Sequence, residues 1–426
     1  MKVKQFAFGG VVAVVVALLM FTGCPRPAEN RLVVWSFTDE IENMIAMHNV
    51  AEALGMEIAY SLTPTDQFPD RLSPALMAGG AVAPDVFALE SAFVRQFIEY
   101  GPDLLLDLTD LYNEVRGRVL RYPVEVASVG GRVFGMSWQA TPGAMFFRRS
   151  LAIRYLGTDD PAVVQQYFAN WNTFLGTARN ISEQSEGGTV VVSSLGDLNF
   201  PFLASRAQPW VVNGQLHIDP MMIQYLEMVR YLRDNGFEGR VGQWSEGWFA
   251  GMRGDLADEA GNPVEVFAYF LPTWGLHFVL AQNAPGTSGD WAMIPGPASW
   301  FWGGTWLAAY AGTRHPEAAR EFIRLLTLDE TNLERWARET GDFLNHMDVV
   351  NRIVDDFSLP FLGGQNHYAA FLEPARGIDG GLIQGTDQAI QALFLEAVEQ
   401  YANAEATMEA ALAMFREQVS AQLGIN

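Results

Sequence analysis

Between Leu32 and Gly101 the chain repeats one alternation three times, and that alternation leaves few folds open. "RLVVWSF" is rich in β-branched and aromatic residues and reads as a strand over Leu32–Ser36. Ile41, Met44, Ile45 and Leu54 then recur at helical spacing until Gly55 stops the helix. "MEIAYSL" is the next strand, and Phe68, Leu72 and Leu76 mark a helix closed by Gly79 and Gly80. "PDVFALE" and "SAFVRQFIEYG" supply a third strand and a third helix. Strands alternating with helices predict a parallel sheet with helices on its faces, because parallel neighbours must be joined by a crossover. Ligands of such sheets bind outside the carboxyl ends of the strands, where Trp35 and Glu90 fall.

The rest of the chain keeps this mixture. "GGRVFGMSWQATPGAMFFRRSLA" reads as a strand, a Thr-Pro-Gly turn and another strand. "TVVVSSL" and "VEVFAYFLPTWG" are strand-like, the second ending at Pro272, Trp274 and Gly275. "DPMMIQYLEMVRYLRDNG" is a helix capped by Asp219, opened by Pro220 and followed by Gly236. "WAMIPGP" is a short strand, "HPEAAREFIRLLT" a helix beginning at Pro316, and from Asp329 the pattern is almost wholly helical. At 426 residues and 49% hydrophobic, the chain can build two or more compact units.

The first residues stand apart. Lys2 and Lys4 precede an apolar run, Phe6–Met20, that is short for a membrane span. "FTGC" follows, so residues 1–23 read as a secretory signal peptide and Cys24 as the cysteine behind a lipoprotein cleavage site. A short anchor that stays uncleaved is the other reading. Cys24 is the sole cysteine, which rules out an internal disulfide and suits a lipidated N-terminus; residues 24–30 serve as a tether. The net charge is −22, and both lysines lie in the signal segment. Such a surface repels phosphate backbones, which argues against nucleic acid as a partner. Beyond Lys4 the chain has no lysine for a Schiff base or a phosphate-binding loop.

"PGPASWFWGGTWLAAYAG" places Trp300, Phe301, Trp302 and Trp306 around Gly303 and Gly304. Prolines and glycines break regular structure at its head, while its tail, Thr305–Ala311, suits a buried strand. It reads as a loop carrying flat rings into a strand. Trp35, Trp138, Trp244, Trp248, Trp274, Trp300, Trp302 and Trp306 all fall near strand ends, turns or helix starts. Flat rings suit the apolar faces of sugars, and carboxylates suit their hydroxyls; each ring is equally at home in a core. Trp248 and Trp336 fit helix packing better. The carboxylate candidates are Asp39, Asp66, Glu90, Glu246 and Asp342, against the ordinary reading of each as a solvated surface group. The six histidines show no metal-ligand spacing, so neither metal nor cofactor is expected. "QWSEG" is no nucleophile elbow, because Gly242 stands one place too early. With 49 acids, a glycosidase carboxylate pair stays open.

In order, "LVVWSF", "LMAGGAVAPDVFAL" with "LLLDLTDL", "GRVFGMSW" with "FFRRSLA", "WFAGM", "WAMIPGP" and "GGTWLAAYAGTRHPEAAREFIRLLT" resemble the family 1 extracellular solute-binding proteins of bacterial ABC importers. The resemblance runs from Leu32 to the C-terminus; "GDFLNHMDVV" lacks the family's usual proline after its glycine. It implies a two-lobed α/β fold of the type II periplasmic-binding class, each lobe a mainly parallel sheet flanked by helices. Residues 31–140 and 297–328 form the N-terminal lobe, and 141–296 and 329–426 the C-terminal lobe. Crossings are expected near Trp138–Gly143 and Pro295–Pro297, where proline and glycine cluster. The tryptophan loop then faces the cleft, and Gly303 and Gly304 let backbone amides approach a ligand closely. The implied function is non-enzymatic: capture of a carbohydrate by a monomeric, lipid-anchored protein outside a bacterial membrane, for delivery to an importer's permease subunits. The implied ligand-binding residues are Trp35, Asp39, Asp66, Glu90, Trp138, Trp274, Trp300, Trp302, Gly303, Gly304 and Asp342. A lipid-anchored glycoside hydrolase, or the same fold binding a peptide or polyamine, are the alternatives.

Overall fold

The computed structural model describes residues 30–426, so the readings of the signal peptide, of Cys24 and of most of the tether lie outside the described residues. The early alternation builds one four-stranded sheet, in the order Thr305–Ala309, Val86–Glu90, Arg31–Ser36, Glu57–Leu62. The three strands read first are mutually parallel, with Val34 opposite Val86 and Arg31 opposite Glu57. Thr305–Ala309 comes back from the other lobe and runs antiparallel, placing Thr305 beside Glu90. One expected helix is two: Asn49 sits at φ 52°, a left-handed conformation that asparagine tolerates, between Glu40–Met47 and Val50–Leu54.

The second sheet has the order Trp291–Ile294, Gly143–Arg148, Glu265–Pro272, Thr189–Val192. It is not mainly parallel. Gly143–Arg148 is antiparallel to both its neighbours, and only Glu265–Pro272 and Thr189–Val192 run together. The reason is directional: a segment entering from a crossing runs away from the hinge, while its neighbours Trp291–Ile294 and Glu265–Pro272 run back to it. Pro272 and Glu90 therefore end at the same junction between lobes.

Helices cover both sheets through apolar stripes. In Pro316–Thr327, Ala319, Phe322, Ile323 and Leu326 are buried at helical spacing. Pro220–Asp234 starts as read, with the Asp219 side chain accepting from Met221 N at 2.9 Å. Phe147, Phe174, Phe202, Trp210, Phe394 and Phe415 build a core on the second lobe. Another apolar cluster runs without a break from Leu32 and Val34, through Trp138 and Leu344, to Tyr269 and Leu271. Among the described residues no helix is long and apolar enough to cross a membrane.

One expected boundary moves. Helix Glu330–Thr340 packs on Pro316–Thr327, and Arg335 donates to Met47 O at 2.6 Å. Val119 bridges His346, and Leu120 N donates to Asn345 O at 3.1 Å. Residues 329–353 thus belong with the N-terminal lobe, whereas His367–Arg376 packs on the second sheet. The apolar faces of these helices, not their order along the chain, choose the lobe.

Candidate functional site

Three chain segments lie side by side at the junction of the lobes. The stretch of residues 134–142, which takes in the end of the expected strand, the start of its Thr-Pro-Gly turn and most of the expected first crossing, is extended between a short hairpin, Ser128–Val129 with Arg132–Val133, and the strand Gly143–Arg148. On one side it pairs with the tryptophan loop, Met136 opposite Leu307 and Pro142 opposite Phe301. On the other it pairs with "DFLN", where Ala140 N donates to Phe343 O and Asn345 N to Trp138 O, both at 2.8 Å. Buried Asn345 also accepts from Leu120 N at 3.0 Å, which holds this third segment to the N-terminal lobe without the proline.

Three tryptophans converge beside these segments. Trp302 stacks on Phe200 at 4.5 Å, with an interplanar angle of 21°. Trp274 meets it edge to face at 5.0 Å and donates from Nε1 to Trp302 O at 2.9 Å. Trp244 lies parallel to Trp274 at 6.3 Å and edge-on to Trp302 at 5.7 Å. It is exposed, at φ 69°, a strained conformation for a bulky residue and of the kind found at ligand clamps. After Trp274 the chain makes a π-helical turn, Gly275–Ala281, instead of a plain loop.

The tryptophan pair stands between two interlobe cavities. One, of about 310 Å³, is lined by Glu90 and Ser91 of the first lobe, by Phe200, Gln388 and Gln391 of the second, and by Trp302. Glu90 accepts from Ser91 Oγ and Ala92 N, both at 2.6 Å, yet burial still pushes its carboxyl above the usual range. The other cavity, of about 230 Å³, is lined by Asp39, Glu40, Trp274, His277, Asp342 and His367 among others. Burial raises Glu40, and the Asp342 charge raises it further. Burial also raises Asp342, against the hydrogen bonds its Oδ2 accepts from Trp336 and Trp138 Nε1, each 3.0 Å long. His367 is lowered to about 4, first by burial and then by the charge of His277.

Of the residues singled out from sequence, Glu90 and Trp302 border the first cavity, and Asp39, Trp274 and Asp342 the second. The others lie elsewhere. Trp138 and Trp300 are buried, and the Trp300 indole fills the space a Cβ on Gly143 would need, 2.0 Å away. One face of Trp35 is covered by the Arg71 guanidinium at 3.8 Å. Asp66 is exposed ahead of helix Phe68–Ala78 and borders neither cavity. Gly303, at φ 78°, is buried, and a Cβ there would lie 2.6 Å from Trp274 Nε1. Its missing side chain therefore admits Trp274, where the sequence suggested a ligand. Gly304, at φ 107°, packs against Thr141 and Trp306. Glu246 is paired with Arg253 on the surface. Glu40, Phe200, Thr273, His277, His367, Gln388 and Gln391 were not singled out, because only the fold brings these dispersed positions together.

Residues 51–332, more than half of the chain, match the family described as bacterial extracellular solute-binding protein. The chain belongs to this family. Its members are binding proteins, not enzymes. No curated protein matches the sequence. Solved structures share the fold at low identity. A crystal structure of an extracellular solute-binding protein family 1 member is similar at a TM-score of 0.80 and 19% identity, covering 92% of this chain and 99% of its own. The sugar-binding protein MalE from Xanthomonas citri is similar at 0.75 and 15%, covering 92% and 97%. The ABC-transporter-associated binding protein of B. animalis subsp. lactis Bl-04, in complex with β-1,6-galactobiose, is similar at 0.64 and 19%, covering 93% and 98%.

Proposed function

We propose that this solute-binding protein captures a carbohydrate in the cleft between its lobes and passes it unaltered to the permease subunits of an ABC importer, held at the membrane by a lipid on Cys24. The convergence of Trp244, Trp274 and Trp302 between two acid-bordered cavities carries the reading. Sugar rings offer flat apolar faces to indoles and hydroxyls to carboxylates and amides, and Glu90, Gln388 and Gln391 supply such groups beside Trp302. The galactobiose-bound relative adds support, as a similar fold with an oligosaccharide bound. Anchoring is supported by the charged start, the apolar run and the solitary cysteine.

Trp302→Ala tests the site. Losing a stacked ring costs about 1–3 kcal/mol where bases stack, and the same order is expected for a sugar. Affinity should fall about tenfold or more by calorimetry while the fold persists by circular dichroism. Full-strength sugar binding by the folded variant, or no binding of any sugar in a broad panel by the wild type, would overturn the reading. For the anchor, Cys24→Ser should move the protein from the membrane to the soluble fraction; mass spectrometry finding Met1 retained on native protein would refute it.

A further inference from the structure

The cavity beside Asp342 differs from its neighbour in what it offers a ligand. Asp39, Glu40 and Asp342 all border it, and among the described residues lining it there is no arginine or lysine. Two residues that line it, 4% and 3% exposed, each carry a buried polar atom without a hydrogen-bond partner: Thr273 Oγ1 and His367 Nδ1. The identity of the second follows from its ring. His367 Nε2 lies 3.3 Å from Gly341 O, and a carbonyl can only accept, so Nε2 carries the hydrogen and Nδ1 presents a lone pair. Burial lowers both His367 and His277 from the usual histidine range. Carboxyl, imidazole and hydroxyl groups thus come together in the residues around the cavity, with Trp274, Trp336 and Phe278 as aromatic neighbours. Buried acceptors left unmatched are costly, and the His367 lone pair has no donor within the protein.

An ammonium group matches this inventory. It brings three N–H donors, a positive charge for crowded carboxyls, and attraction to aromatic faces. We propose that this cavity seats an aliphatic ammonium group, so that the carbohydrate bound across the tryptophan pair is an amino sugar. The inference rests on the cleft being the ligand site, as set out above. The same ammonium chemistry occurs in free polyamines, and the test separates the two sources.

Calorimetry on the intact protein should use matched probes in which an amine replaces a hydroxyl: glucosamine against glucose, galactosamine against galactose, the β-1,4 glucosamine disaccharide against cellobiose, and putrescine against 1,4-butanediol. At least one amino sugar should bind tenfold or more tighter than its hydroxyl partner, and Asp342→Asn should erase most of that preference. Glu40→Gln serves the same purpose should Asp342→Asn fail to fold by circular dichroism. If no amino sugar outbinds its partner, or a folded variant keeps the full preference, the inference is overturned. Neutral sugars bound without preference would end this inference and leave the carbohydrate reading standing. Putrescine bound where no sugar of any kind binds would overturn both the amino-sugar assignment and the carbohydrate reading, while marking the cavity as an amine site.

Discussion

Asp197 lies beneath the loop that carries Trp244, accepting from Trp248 Nε1 at 2.8 Å and from Gln243 Nε2 at 3.2 Å. Burial lifts its carboxyl to about 7 in spite of these bonds. A folded-state value above the unfolded one means that the folded protein keeps the proton longer. Stability from this group is complete below the ordinary carboxylate range and is lost as pH climbs to about 7. One group changes stability by at most about 1.4 kcal/mol per pH unit. Asp197→Asn retains Oδ1 and should flatten the fall in urea midpoint between about pH 4 and pH 7; identical slopes in variant and wild type would refute the assignment. Trp244 depends on this anchor, since its own ring is exposed and its backbone strained. Tryptophan identity alone did not separate such a ring from Trp138 or Trp300. The decision rests on what surrounds each indole, and those neighbours come from distant parts of the chain.

At the scale of elements, the lobes are joined by more than the chain crossings. The segment between helices His367–Arg376 and Asp387–Ala402 reaches across the junction. On the N-terminal lobe, Gly385 N donates to Glu99 Oε2 at 2.6 Å and Gly380 N to Glu125 Oε2 at 3.2 Å. On the other lobe, Gln384 exchanges two 2.9 Å bonds with the Val211 backbone, and buried Asp387 pairs with Arg206 at 2.9 Å. Hydrogen bonds to charged acceptors are the stronger kind, so this strap favours the arrangement in which the lobes meet. Glu99→Gln with Glu125→Gln should weaken ligand binding by about 1 kcal/mol in all, roughly fivefold. Unchanged affinity would show the strap to be passive. Glycine content marked this segment as loop, but its role as a tie depends on acids some 250 or more residues earlier in the chain.

For the whole molecule, two lobes linked by a few crossing residues can move as bodies, the crossings absorbing the change in dihedral angles. Ligand bridging Glu90 and Asp39 on one lobe with Trp274 and Gln388 on the other should draw them together. Small-angle scattering should then show a smaller radius of gyration at saturation; an unchanged radius would argue against hinge motion and leave binding intact. The continuous apolar cluster through Trp138 and Leu344 gives this hinge a packed interior, so its movement is expected to be limited to the flanking backbone.

Short-range chemistry is legible in the amino-acid order alone. Alternating periodicity gives away the first sheet and its helices, and Asp219, Pro220 and Gly55 act where turn and cap residues should. Motif order along the chain is enough to point to the family and its two lobes. Direction and partnership are not legible in the same way. The antiparallel entry of Gly143–Arg148, the attachment of Glu330–Thr340 to the first lobe, and the meeting of Trp274 with Trp302 all depend on which surfaces lie opposite each other. The acidic cavity is the extreme case: Glu40, Thr273, Asp342 and His367 carry no common motif, and come together only when both lobes and the segment after helix Glu330–Thr340 are in place. Periodicity and turn chemistry act over a few residues, whereas burial, desolvation and ring contacts are set by neighbours that folding brings from anywhere in the chain.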